Sequence, residues 1–168
     1  MSLILLADDS PHALRMGEQI LREEGYDVVC AATGTDAARW LAAVDPDIVM
    51  ADAFLPGCDG LELCRQIRSG SRHARVVLTA GSLEDLDEAT AKNVGCDAVL
   101  RKPFEASEVL KTVAPLARAA ALARQSGLPG ASGAGAEEVQ AVVARTVQEE
   151  LPRMVEEITR KVLLALAG

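Results

Sequence analysis

The chain has 168 residues, of which 49% are hydrophobic, and a formal net charge of −8. That length and apolar content suffice for one full core and an appendage. The acidic balance argues against nucleic acid as a partner, because phosphate recognition rests on clustered Lys and Arg, and no apolar run reaches the ~18 residues of a membrane span.

Residues 2–7 form a short, branched, uninterrupted apolar run that reads as a fully buried strand and stops on Asp8-Asp9. No basic leader or small-residue cleavage site precedes it, so no secretory signal is expected and the expected location is cytoplasmic. Ser10-Pro11 starts a helix, with Ser as N-cap and Pro at the first helical position. Leu14, Ile20 and Leu21 recur at helical spacing, and Gly25 ends the element. Tyr26 to Ala31 is the second strand and Thr35 to Ala43 a short helix. Asp45-Pro46-Asp47 breaks that helix and introduces Ile48-Val49-Met50-Ala51, a buried run that stops on Asp52.

Leu55-Pro56-Gly57-Cys58-Asp59-Gly60 is a loop by its Pro and Gly content. Leu61, Leu63, Cys64 and Ile67 mark the next helix, closed by Ser69-Gly70-Ser71. Arg75 to Thr79 is the fourth strand and ends on a hydroxyl. Residues 84–94 read as a polar helix ending at Gly95. Ala98 to Arg101 is the fifth strand and delivers Lys102-Pro103. Ala106 to about Arg124 is an Ala-rich helix. Cys30, Cys58, Cys64 and Cys96 form no Cys-x-x-Cys pair and read as buried, reduced thiols.

Five strand–helix repeats with short connections imply an α/β fold: a doubly wound parallel sheet of the flavodoxin-like (βα)5 type, in strand order 2-1-3-4-5. The expected domains are 1–124, a flexible Gly/Ala/Ser linker at 125–136, and a separate helical tail at 137–168. In the tail Val139, Val142, Val143 and Val147 line one face, and Leu151, Met154, Val155, Ile158, Val162 and Leu166 another. Pro152 between them implies a kinked helix or a helix pair. Such a stripe cannot bury itself in an isolated helix, so it folds back, pairs with copies of itself, or docks on a partner.

In that strand order the first and third strands are neighbours, so Asp8, Asp9 and Asp52 converge with Thr79 and Lys102 beside them, at the edge where open parallel sheets bind ligands. Three carboxylates in one place repel unless one is protonated or a divalent cation sits among them. Oxygen-only ligands with open positions favour Mg²⁺. A carboxylate beside Mg²⁺ can attack phosphorus and become an acyl phosphate. Lys102 would neutralise phosphoryl oxygens, and Thr79 would donate a hydrogen bond to them and sense their arrival.

With Asp8-Asp9, Asp52 and the loop Leu55 to Gly60, Thr79-Ala80 and Lys102-Pro103-Phe104 in this order, residues 1 to about 122 resemble the receiver domain of two-component response regulators. The resemblance implies that Asp52 is the phosphoacceptor for a sensor histidine kinase. It implies that Asp9, Asp52 and the backbone carbonyl of Phe54 hold Mg²⁺ with Asp8 acting through water, and that the Lys102–Pro103 peptide is cis. It further implies signalling to a downstream protein through the face of the fourth and fifth helices and the fifth strand. Two features depart from the family. Val99 stands where a switch aromatic is usual, three residues before the lysine. Phe54 and Gly81 stand where side chains often orient the hydrolytic water, which implies a long-lived acyl phosphate. Separately, Glu150 to Ile158 is similar to the C-terminal assembly helices of the bacterial pole-organising protein PopZ, which implies a homo-oligomer through 137–168.

A haloacid-dehalogenase-type phosphatase would need a second Asp two residues past Asp52, where Phe54 stands, so no turnover enzyme is expected. A cobalamin-binding flavodoxin-like domain would need an Asp-x-His-x-x-Gly loop, which is missing from the sequence. The expectation is a stand-alone receiver with a tail for oligomerisation or docking. The alternatives are a phosphorelay or transcription-linked regulator with its effector on another chain, and a scaffold that takes no phosphate.

Overall fold

The structure, a computed structural model, describes residues 1–70 and 73–126. Apart from Gln125 and Ser126, the expected linker and helical tail lie outside the described residues. Within them the chain alternates without exception: β1 (Leu3–Ala7), α1 (Pro11–Glu23), β2 (Asp27–Ala31), α2 (Gly34–Ala43), β3 (Ile48–Asp52), α3 (Gly60–Ser69), β4 (Arg75–Gly81), α4 (Glu88–Asn93), β5 (Ala98–Lys102) and α5 (Ala106–Ser126). The five strands make one parallel sheet in the order β2-β1-β3-β4-β5, as expected.

Local chemistry sets the boundaries. The first four helices each begin behind a side-chain cap, Ser10, Thr33, Asp59 or Asp87, whose oxygen accepts a backbone N–H of the first turn. Gly25 and Gly95, at φ +86° and +85°, let the chain turn out of α1 and α4 into the following strands. Successive side chains of a strand point to opposite faces, so the sheet divides two cores. Leu5, Val49, Leu63, Ile67 and Leu78 pack on one side; Leu6, Leu21, Met50, Val77 and Val113 pack on the other. The central strand β3 is buried along its whole length, which is why its sequence is apolar without alternation.

Three expectations need correction. The polar helix expected over 84–94 is only Glu88–Asn93. Residues 82–87 are drawn into an irregular loop because the Arg101 guanidinium takes the carbonyls of Glu84 (3.0 Å) and Leu86, acceptors a helix there would need. Asp87 then caps the shortened helix through the Thr90 N–H at 2.7 Å. Second, β4 runs on to Gly81, two residues past Thr79, because β5 pairs with it that far. Third, of the four free cysteines only Cys64 is fully buried; Cys30, Cys58 and Cys96 are half-buried. Burial pushes the thiols of Cys30 and Cys64 up to about 11.

The edge of the sheet away from Asp52 is closed by two further acids. Asp47, which reads in the sequence as a helix breaker, is buried; it accepts the Leu3 N–H at 2.9 Å and pairs with Arg124 at 3.1 Å. Asp97 accepts from Arg68 at 2.6 Å and from the Val76 N–H at 2.7 Å. Both carboxylates are fully engaged in holding strand starts together.

Candidate functional site

The register of the sheet assembles the site. Ala7 of β1 lies opposite Ala51 of β3, so the residues that follow, Asp8 and Asp52, leave the sheet side by side. Asp52 is paired with Thr79 of β4, and Gly81 with Lys102 of β5. Four strand ends thus bring together the residues read from the sequence as Asp8, Asp9, Asp52, Thr79 and Lys102. Carboxylate oxygens of Asp8, Asp9 and Asp52 all lie within 4.8 Å of one another. Asp8, Asp52 and Thr79 are buried, at 3%, 4% and 2% exposure, whereas Asp9 stands exposed at the rim.

Each buried carboxylate is divided between its own loop and the lysine. Asp8 Oδ1 accepts the Ser10 N–H and Asp52 Oδ1 the Phe54 N–H, both at 2.8 Å. Those bonds aim the two Oδ2 atoms at Lys102, whose Nζ lies 3.1 Å from Asp8 and is also hydrogen-bonded to Asp52. Burial pulls the Lys102 amine down, but hydrogen bonds and charge from Asp52 and Asp8 together outweigh it and leave the amine above the ordinary lysine range. The Lys102–Pro103 peptide is cis, as the resemblance implies.

The donor set is all oxygen, anionic, and open to solvent on the Asp9 side. That fits a hard divalent cation that keeps part of its water shell, and a site of this kind suits Mg²⁺. Such an ion would relieve the repulsion that Lys102 relieves for only two of the three acids. Phe54 extends its ring outward, 46% exposed, while its N–H is committed to Asp52. Val99, on β5, is half-buried and lines a groove of about 340 Å³ together with Ala91, Lys92 and Cys96; no aromatic ring occupies that place.

Some residues that shape the site are silent in the sequence pattern. Gly34 lets the N-terminus of α2 sit against the loop after β3: its N–H donates to the Pro56 carbonyl at 3.1 Å, and a Cβ there would lie 1.5 Å from the Cys58 oxygen. A Cβ on Gly60 would lie 2.4 Å from the Asp52 carbonyl oxygen. Beside Lys102 an open pocket of about 340 Å³ is lined by Ser10, His12, Met16, Gly81 and Phe104 among others.

A family model described as the response regulator receiver domain matches residues 4–114, well over half of the chain. A solved response regulator from Chloroflexus aurantiacus J-10-fl is similar at 27% identity and a TM-score of 0.63, over 70% of this chain and 98% of the other. The chemotaxis response regulator CheY4 of Vibrio cholerae is similar at 26% identity and a TM-score of 0.64, over 69% of this chain and 98% of the other. NtrX from Brucella abortus shares the fold at 24% identity and a TM-score of 0.68, over 75% of this chain but 29% of its own.

Proposed function

This chain belongs to the response regulator receiver family, and from that premise we propose that it accepts a phosphoryl group on Asp52 from a sensor histidine kinase and signals by protein–protein interaction. One observation carries the proposal: oxygens of three carboxylates lie close enough together to hold a single cation, and the one ending the central strand, Asp52, is also bonded to the amine of Lys102. Asp9, Asp52 and the Phe54 backbone carbonyl would hold Mg²⁺, with Asp8 acting through water. The ion supplies charge neutralisation for phosphoryl oxygens.

The chain's own groups do the rest. A carboxylate oxygen of Asp52 attacks phosphorus. The bond from phosphorus to the donor nitrogen breaks, and the electron pair leaves with the imidazole, which takes a proton from solvent. The product is a mixed anhydride. Lys102 turns from the Asp52 carboxylate to a phosphoryl oxygen, and Thr79 donates its hydroxyl to another. The open pocket beside Lys102 leaves the donor imidazole an approach.

Hydrolysis of that anhydride is slow on this reading. Neither Phe54 nor Gly81 offers a side-chain hydrogen bond to an attacking water, and the Glu84 carboxylate leaning over Gly81 is held by the Gly81 N–H. Incubation with acetyl phosphate should add one phosphoryl group by intact mass when Mg²⁺ is present and none in excess chelator. Loss of that mass after donor removal should take far longer than seconds; a half-life of seconds contradicts the slow-hydrolysis reading.

The tail is read as an oligomerisation or docking element, on the apolar stripes of 137–168. Light scattering on the full chain and on residues 1–126 distinguishes the roles: a larger assembly for the full chain alone is the result expected of tail-driven oligomerisation, and two monomers remove it. A phosphorelay or transcription-linked regulator with its effector on another chain is the second reading; the acidic balance favours an effector on another chain over DNA binding by this one.

A further inference from the structure

We propose that Arg101 is the lever that carries phosphorylation at Asp52 to the loop of residues 82–87 and to α4, a positioning role that rests on the phosphoacceptor reading. Arg101 is the neighbour of Lys102 along β5, and alternation along the strand puts their side chains on opposite faces. Lys102 reaches Asp8 and Asp52 on one side. On the other the Arg101 guanidinium bridges the carbonyls of Glu84 and Leu86. A planar fork that bridges two carbonyls is a rigid connection in a way that a single flexible contact is not.

The loop it grips has few other ties. Leu83 is 99% exposed. Leu86 is buried in the core at 2% exposure, and the Glu84 carboxylate caps the Gly81 N–H. Both ends of the arrangement therefore answer to the site. Gly81 follows Thr79 by two residues on β4, and Gly81 is itself the register partner of Lys102. When Thr79 and Lys102 swing to a phosphoryl group, the ends of β4 and β5 shift together, and the Arg101 fork and the Glu84 cap are the connections through which the loop feels it. The position two residues before Arg101 on the same face is Val99, too small to fill the groove beside α4. A guanidinium gripping main-chain carbonyls transmits displacement without a ring to bury.

The test is hydrogen exchange by mass spectrometry on the full chain, read over residues 82–94, before and after acetyl phosphate with Mg²⁺, with intact mass taken on the same samples. In wild type, phosphorylation should change exchange in this segment. In Arg101→Met, phosphoryl gain should be unaltered and the segment should exchange about thirtyfold faster without phosphate, the result of losing two net hydrogen bonds. Phosphorylation should then add little. Arg101→Lys, which keeps the charge but loses the fork, should behave like the Met variant; this rules out a purely electrostatic role. Full phosphorylation with a wild-type exchange response in both variants overturns the lever while leaving the phosphoacceptor reading intact. Absence of phosphoryl mass in wild type sinks both.

Discussion

Gly34→Ala should cost about 3 kcal/mol of folding stability, at the upper end of what overpacking usually costs. Alanine is ordinarily the better helix residue, so the sign of the effect comes entirely from the neighbour. The new Cβ would lie 1.5 Å from the Cys58 oxygen and 2.4 Å from its carbonyl carbon. Both are backbone atoms and cannot rotate away, so the loop between Asp52 and Gly60 has to move as a body. That loop carries Phe54, whose N–H orients Asp52, and it ends at Gly60, packed on the Asp52 carbonyl. The damage should therefore reach the site, weakening Mg²⁺ binding as well as shifting the denaturation midpoint. Gly25→Ala is the informative control. Gly25 has φ +86° with open space around it, so only backbone strain is added, about 1 kcal/mol, and metal binding should be unchanged. Equal costs at the two positions would contradict the steric account.

Lys102→Met should destabilise the metal-free protein by about 3 kcal/mol, because it strands two buried carboxylates that share one cation. Asp9, within 4.8 Å of both, adds to the repulsion. Saturating Mg²⁺ should recover a large part of that loss, since the ion supplies the missing positive charge to the same oxygens. The pH dependence has a definite sign. The folded amine titrates above its ordinary value of 10.5, so its contribution is fully present below 10.5 and is lost as pH rises through the folded value. Wild type should lose stability in that alkaline window, and the Met variant should lack this component. Urea unfolding with and without Mg²⁺ measures both effects. A variant as stable as wild type in the absence of metal would show that Lys102 holds neither acid in solution.

Much of this was legible in the chain because strands in a parallel sheet end abruptly. Apolar runs that stop on Asp8, Asp52 and Lys102 mark three strand ends, and Thr79 lies two residues short of a fourth; the order of a doubly wound sheet then fixes which of them meet. Capping chemistry was equally direct at Ser10. What was hidden depended on contacts distant in sequence. Glu84 to Asp87 are compatible with a helix, and only Arg101, more than a dozen residues on, removes the carbonyls that would have closed it. Asp47 looks like punctuation after Pro46 until Leu3 and Arg124 arrive to bury it. Cys30 sits in an apolar run, yet β2 is an edge strand, so the thiol is half covered. Gly34 gives no local signal at all: its need is set by the backbone of a loop that packs against it only once the sheet has formed.

The claim on which the rest depends is that the acid ending the central strand receives the phosphoryl group. The direct measurement is intact mass after acetyl phosphate and Mg²⁺ on wild type and Asp52→Ala, each checked for folding by its unfolding transition. One added phosphoryl group on wild type and none on Asp52→Ala is the predicted result. Equal gain on both proteins, or none on folded wild type, contradicts it.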